Sequence, residues 1–95
     1  MIGDVLRYIR ICNELTAKEA ANKANIQASL LSELESNKRN VTLRSLERLS
    51  KCYNMEISKI MYLSELEAIG KTRAEILIEI LNYYIKKEEN NTKVK

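Results

Sequence analysis

Apolar residues recur three and four positions apart along most of the chain, which is the spacing of amphipathic helices. This spacing predicts a first helix over residues 3–13. The next helix has a marked start, because Thr16 and Glu19 form a capping box that satisfies two backbone amides. A second helix is therefore predicted over residues 17–24. Since the chain has no proline and only two glycines, little interrupts helices, and the fold class is predicted to be all-α.

A tight turn is predicted after the second helix, because asparagine, here Asn25, tolerates the left-handed backbone conformation. The polar residues 37–40 include two asparagines, which indicates a loop, and Thr42 is well placed to cap the helix that follows. Three further helices are predicted over residues 28–36, 43–53 and 57–63. These five helices would form one bundle.

The C-terminal third contains two more capping boxes, Ser64 with Glu67 and Thr72 with Glu75, on either side of Gly70. A tail helix is predicted to start near Arg73, and the polar end of the chain is predicted to be a frayed tail. The predicted organisation is a domain over residues 1–63, a helical extension over 64–87 and a flexible polar tail over 88–95.

Composition and charge limit the classes of function that the chain can have. The 95 residues carry a net charge of +3, and all of the excess lies in residues 1–62, with ten basic and seven acidic side chains. The chain has no histidine, no phosphate-binding glycine loop and only Cys12 and Cys52, which we interpret as reduced core residues. These features argue against an enzyme and predict no cofactor and no metal. The absence of a signal peptide or a membrane span predicts a cytoplasmic protein.

A set of residues with a fixed spacing includes core residues, a helix cap, the tight turn and the loop. It comprises Ile2-Gly3, Leu6-Arg7, Ile9-Arg10, Leu15-Thr16, Glu19, Ala21, Lys23, Ile26, Leu31-Ser32, Leu34-Glu35 and Lys38-Arg39-Asn40. In this set the chain resembles the helix-turn-helix domain of the Cro and lambda-repressor (Xre) family. The resemblance covers residues 2 to about 63. It implies a five-helix lambda-repressor-like bundle whose second helix lies across the DNA backbone and whose third helix enters the major groove of a double-stranded operator.

The third helix supplies the candidate base-reading residues. If its apolar positions face the core, the opposite side presents Gln27, Ala28, Ser29, Ser32, Glu33 and Ser36. The resemblance singles out Ala28, Ser29 and Glu33, although small residues of this kind are also common on solvent-exposed faces. The chain departs from the family at Glu33, where the family often has arginine, lysine or glutamine. It departs again at Ala17, where a glutamine that contacts the DNA backbone is frequent.

A second set of residues is predicted to contact phosphates. It comprises the cap of the second helix and the basic loop before the fourth, namely Thr16, Lys38, Arg39, Asn40 and Arg44. The alternative for each basic residue is an ordinary solvated charge. By the resemblance, Arg10 and Glu35 form a structural ion pair that fixes the recognition helix.

The tail helix is apolar over more than half of its circumference, which is more than one contact surface would cover. We therefore expect that part of Ile76, Leu77, Ile80, Leu81 and Tyr84 packs against the domain while the rest mediates homodimerisation. An intramolecular lid is the alternative. The predicted function is that of a dimeric, sequence-specific transcriptional repressor. The competing interpretation is an antitoxin or another interaction module with weak or no DNA binding, and a protein partner such as an antirepressor or a toxin is compatible with either.

Overall fold

A computed structural model describes residues 1–93, and within that range the chain consists of α-helices without strands. The six helices are α1 (Ile2–Cys12), α2 (Ala17–Ala24), α3 (Ala28–Glu35), α4 (Leu43–Tyr53), α5 (Ile57–Ala68) and α6 (Arg73–Lys93). The predicted all-α class, a helix-turn-helix bundle with a C-terminal helical extension, is confirmed. In the described part of the chain, no helix is long and apolar enough to cross a membrane.

The helix boundaries follow the local capping chemistry. The Thr16 hydroxyl accepts a hydrogen bond from the Glu19 amide at 3.1 Å, and the Glu19 carboxylate accepts one from the Thr16 amide at 2.9 Å. These bonds also lower the pKa of Glu19. Asn25 and Asn54 end α2 and α4 in the left-handed conformation, with φ of 57° and 50°. Both positions are occupied by asparagine, which tolerates this conformation best after glycine.

The turn between α3 and α4 is fixed by a contact with the start of α1. Asn37 adopts a left-handed conformation with φ of 61°, and its Oδ1 accepts a hydrogen bond from the Gly3 amide at 3.0 Å. A Cβ atom at Gly3 would collide with the Leu34 carbonyl oxygen and with Asn37 Oδ1. The glycine therefore permits the start of α1 to approach the end of α3 closely.

The boundary between α5 and the extension differs from the prediction. Ser64 and Glu67 start no new helix, because α5 continues through them to Ala68 and places Ser64 inside the helix. The physical reason is that nothing interrupts the helix after Leu63, while Leu66 continues the apolar spacing and packs on the core. Gly70, with φ of +96°, is the actual break.

The end of α6 also differs. The helix runs through Lys93 instead of ending near residue 87, so residues 88–93 are helical and not an irregular tail. This segment lacks glycine and proline and contains good helix formers. Lys87 supports it by donating a hydrogen bond to the Asn54 carbonyl at 3.1 Å. The remaining part of the predicted tail, residues 94–95, lies outside the described residues.

α6 packs against α1 and α5 and completes the core. Ile76 and Ile80 are fully buried, and the Tyr84 hydroxyl donates a hydrogen bond to the Tyr53 carbonyl and accepts one from Asn13. Of the five residues predicted to be divided between the domain and a partner chain, Ile76, Ile80 and Tyr84 therefore pack within their own chain. Of that set, Leu77 is half-buried and Leu81 is exposed.

Candidate nucleic-acid interface

The helix-turn-helix unit consists of α2, a three-residue turn and α3. The Ile26 amide donates to the Ala21 carbonyl at 3.0 Å, and Arg48 from α4 donates to the Asn25 carbonyl at 2.7 Å. These bonds fix the turn from two sides. The core face of α3, with Leu31 and Leu34, is buried, so the opposite face lies at the surface of the domain.

The predicted base-reading residues lie along this surface. Five of them are exposed, namely Gln27, Ala28, Ser29, Ser32 and Ser36, while Glu33 is half-buried. The Ser36 hydroxyl donates to the Glu33 carbonyl at 3.2 Å, so it is directed back to its own helix. The outward face of α3 is thus composed of small, mostly uncharged side chains, and Glu33 is its one acidic group.

Glu33 is not isolated on this face. Its Oε1 lies 3.3 Å from a terminal guanidinium nitrogen of Arg39, which belongs to the loop after α3. A residue predicted to read bases and a residue predicted to contact phosphate therefore form an ion pair. No periodicity along the sequence indicated this contact, because it depends on how the loop folds back on the helix.

Arg10 and Glu35 form a second ion pair at the inner edge of α3. Arg10 donates to both carboxylate oxygens, at 2.7 and 2.9 Å, and also to the Leu15 carbonyl at 3.0 Å. The side chains are only 15% and 8% exposed, and the carboxylate of Glu35 raises the pKa of Arg10. This bidentate arrangement ties α3 to α1 and fixes the orientation of α3.

The predicted phosphate contacts surround α3. Lys38, Arg39, Asn40 and Arg44 are all exposed at the surface between α3 and α4. Thr16 is exposed too, but its amide and hydroxyl are both engaged by Glu19. The cap therefore leaves the next two amides, those of Ala17 and Lys18, as the ones without an intrahelical partner.

Two basic residues that the sequence analysis did not select also border α3. Arg7 of α1 lines a shallow groove together with Ala17, Ser32 and Ser36. Lys18 of α2 lines a second groove with Ala28. Arg7 was not selected because the sequence places it on the polar side of an amphipathic helix but does not indicate that this side borders α3.

Other chemistry is limited in the described part of the chain. Cys12 and Cys52 are free and half-buried, and burial raises the pKa of both thiols, which disfavours the reactive thiolate. Among residues 1–93, no group of histidine, cysteine or acidic side chains is arranged to hold a metal ion. The surface around α3 combines exposed polar residues and basic side chains on a helix whose opposite face is buried in the core.

Comparison with known proteins identifies the family to which this helical arrangement belongs. A helix-turn-helix family model (HTH_3) matches residues 6–60. The chain is also similar to the crystal structure of a point mutant of the restriction-modification controller protein C.Esp1396I, with 25% identity and a TM-score of 0.68, over 75% of this chain and 92% of that chain. No curated protein matches the chain. The chain belongs to the Cro and lambda-repressor (Xre) type of helix-turn-helix proteins and is a DNA-binding transcriptional regulator.

Proposed function

We propose that the protein is a dimeric transcriptional repressor that inserts α3 into the major groove of a double-stranded operator. The observation that carries the proposal is the outward face of α3, which is exposed, small and nearly uncharged on a helix anchored by the Arg10–Glu35 pair. Small side chains let the helix approach the base edges closely. Ala28 is suited to a thymine methyl group, and the serine hydroxyls can donate to or accept from either base of a pair.

The charge around α3 supports this placement. Arg7 and Lys18 lie on the α1 and α2 side, and Lys38, Arg39 and Arg44 lie on the α4 side. Phosphates on both walls of the major groove would thus meet basic side chains while α3 reads the bases between them. The acidic groups nearby are compensated, because Glu19 caps α2 and Glu33 pairs with Arg39.

We infer that two copies of the chain dimerise through the outer face of α6. Ala74, Ile78, Leu81 and Ile85 follow a spacing of four, three and four residues, and the last three are 57%, 49% and 54% exposed. This spacing, with isoleucine and leucine alternating, is typical of the seam of a two-stranded coiled coil. A second copy of the chain offers the matching strip. Two domains are also needed to contact two half-sites one helical turn apart.

Leu81→Asn is expected to weaken the dimer about a hundredfold, because each of two chains loses a buried leucine worth about 1.5 kcal/mol or more. Sedimentation equilibrium over a dilution series measures the change. Leu43→Asn is the matched control, since Leu43 is an exposed leucine of α4 outside the strip. Equal dissociation constants for the two variants would contradict the assignment of the interface to α6.

We infer repression because a dimer bound to an operator that overlaps a promoter would exclude the polymerase. The similar structure belongs to a protein named as a controller, which supports a regulatory role. Selection of bound duplexes from a random double-stranded library tests the proposal. We expect an enriched motif of two inverted half-sites whose centres are about 34 Å apart. A motif without inverted symmetry would contradict binding as a dimer.

A protein partner such as a toxin or an antirepressor is the second outcome of this experiment. It is favoured if no motif is enriched from the library and the purified protein instead forms a stable complex with another protein. Recovery of a motif assigns DNA recognition to this chain whether or not a protein partner also binds it.

A further inference from the structure

The Glu33–Arg39 pair lies where an acidic residue should hinder DNA binding. Glu33 is the one acid on the outward face of α3, since Glu35 is buried against Arg10. A lone carboxylate at this place would be repelled by the phosphates of the groove. Arg39, 3.3 Å away, offsets that charge before any DNA is bound.

The backbone holds the two residues together. The Lys38 amide donates to the Glu33 carbonyl at 2.9 Å, immediately after the left-handed turn at Asn37. Asn37 is itself fixed by the Gly3 amide at 3.0 Å. The start of the Arg39 side chain is thus fixed relative to the helix that carries Glu33. The anchored loop therefore keeps Arg39 within reach of the Glu33 carboxylate.

The pair contributes little to stability, because both side chains are about half exposed and exposed ion pairs are weak. The pair matters for DNA binding because both side chains keep hydrogen-bonding positions that DNA can use. A carboxylate has about four acceptor positions, and a guanidinium has five N–H donors. After the contact between them, Glu33 can still accept a hydrogen bond from a base, and Arg39 can still donate to a phosphate.

The major groove offers two kinds of amino donor to a carboxylate. Adenine N6 lies next to the N7 acceptor, which repels a second carboxylate oxygen. Cytosine N4 has no acceptor at that edge of its own base. A carboxylate on the recognition helix therefore favours cytosine over the other three bases.

We propose that Glu33 and Arg39 act together in DNA recognition: Glu33 determines a base preference by accepting from cytosine N4, while Arg39 offsets its charge and donates to a neighbouring phosphate. This inference rests on the proposed function, because it requires α3 to lie in the major groove. Glu33 departs from the family pattern, and the inference explains this departure as a defined base preference instead of a loss of DNA binding.

The test repeats the selection from a random duplex library with Glu33→Gln. Glutamine has nearly the same shape as glutamate but pairs with adenine through N6 and N7. We expect one position of each half-site to change from cytosine to adenine, with a preference of roughly tenfold in each case. The other positions should keep their bases.

Two further variants complete the experiment. Arg39→Gln should retain the cytosine preference but weaken binding to every sequence, since a phosphate contact is lost and the carboxylate is uncompensated. Glu65→Gln removes the same charge from α5, which packs against α1, α4 and α6, and should leave the motif unchanged. An unchanged motif for Glu33→Gln overturns the inference alone, whereas no motif for the unmodified protein overturns the proposed function and the inference together.

Discussion

Replacing Glu35 with alanine is expected to destabilise the protein by about 3 kcal/mol, because the Arg10 charge is then left buried without its partner. Arg10 donates to both Glu35 oxygens, and the two side chains are almost enclosed between α1 and α3. Urea unfolding followed by circular dichroism measures the loss. The same change should weaken operator binding, since α3 loses the contact that fixes its orientation.

Glu33→Ala is the matched control for this prediction. Glu33 is also a glutamate of α3 that pairs with an arginine, but its side chain is 42% exposed and that of Arg39 is 58% exposed. Its removal should cost less than about 1 kcal/mol. If both alanine variants unfold at the same urea concentration, burial does not determine how much each ion pair contributes to the free energy of unfolding, and Glu35 has no special structural role.

Ile80→Ala is expected to destabilise the protein by about 3 kcal/mol, since a fully buried side chain of the core is truncated and leaves a cavity. This result would establish that α6 is part of the folded domain. Loss of α6 packing should also remove the hydrogen bonds that tie Tyr84 to Tyr53 and Asn13. Thermal or urea unfolding provides the measurement.

Ile78→Ala provides the comparison within the same helix. Ile78 is two residues away from Ile80 but 57% exposed, so its truncation should change the stability of the monomer by less than about 0.5 kcal/mol. The comparison is made at protein concentrations below the dimer dissociation constant, because Ile78 belongs to the proposed interface. Equal losses for the two variants would show that α6 does not pack as described.

Local chemistry made most helix boundaries predictable. The capping boxes at Thr16 and Thr72 and the left-handed Asn25 depend on a few neighbouring residues, so they can be read from the chain directly. Ser64 shows the limit of this approach. The same residue pattern as in a capping box stands inside α5, because a continuous apolar face outweighs a local signal for a helix start.

The candidate site was predictable only in part. Periodicity places Ser29 and Ser32 on the side of α3 opposite Leu31, and the family resemblance implied the pairing of Arg10 with Glu35, which the structure contains. The pairing of Glu33 with Arg39 depends on the path of the loop at Asn37, which no local pattern encodes. Arg7 was missed for a similar reason, since its proximity to α3 depends on how α1 packs.

The two sides of α6 could not be assigned from the sequence. Apolar residues cover so much of the helix that periodicity alone allows several faces to point inward. The packing of α1 and α5 selects the face with Ile76 and Ile80, and Tyr84 adds hydrogen bonds to that face. The strip with Ile78, Leu81 and Ile85 is what remains, and only the folded domain identifies it as exposed.

Specific DNA recognition by this protein is tested most directly by fluorescence anisotropy with the DNA immediately upstream of its coding sequence. A scrambled duplex of the same composition serves as the reference, and both are titrated over a salt series. We predict a preference of roughly a thousandfold for the upstream DNA, and an affinity that falls steeply with salt because several phosphates are contacted. Equal, weak binding to both duplexes would contradict specific recognition of this DNA, and would favour a protein partner as the target of this surface.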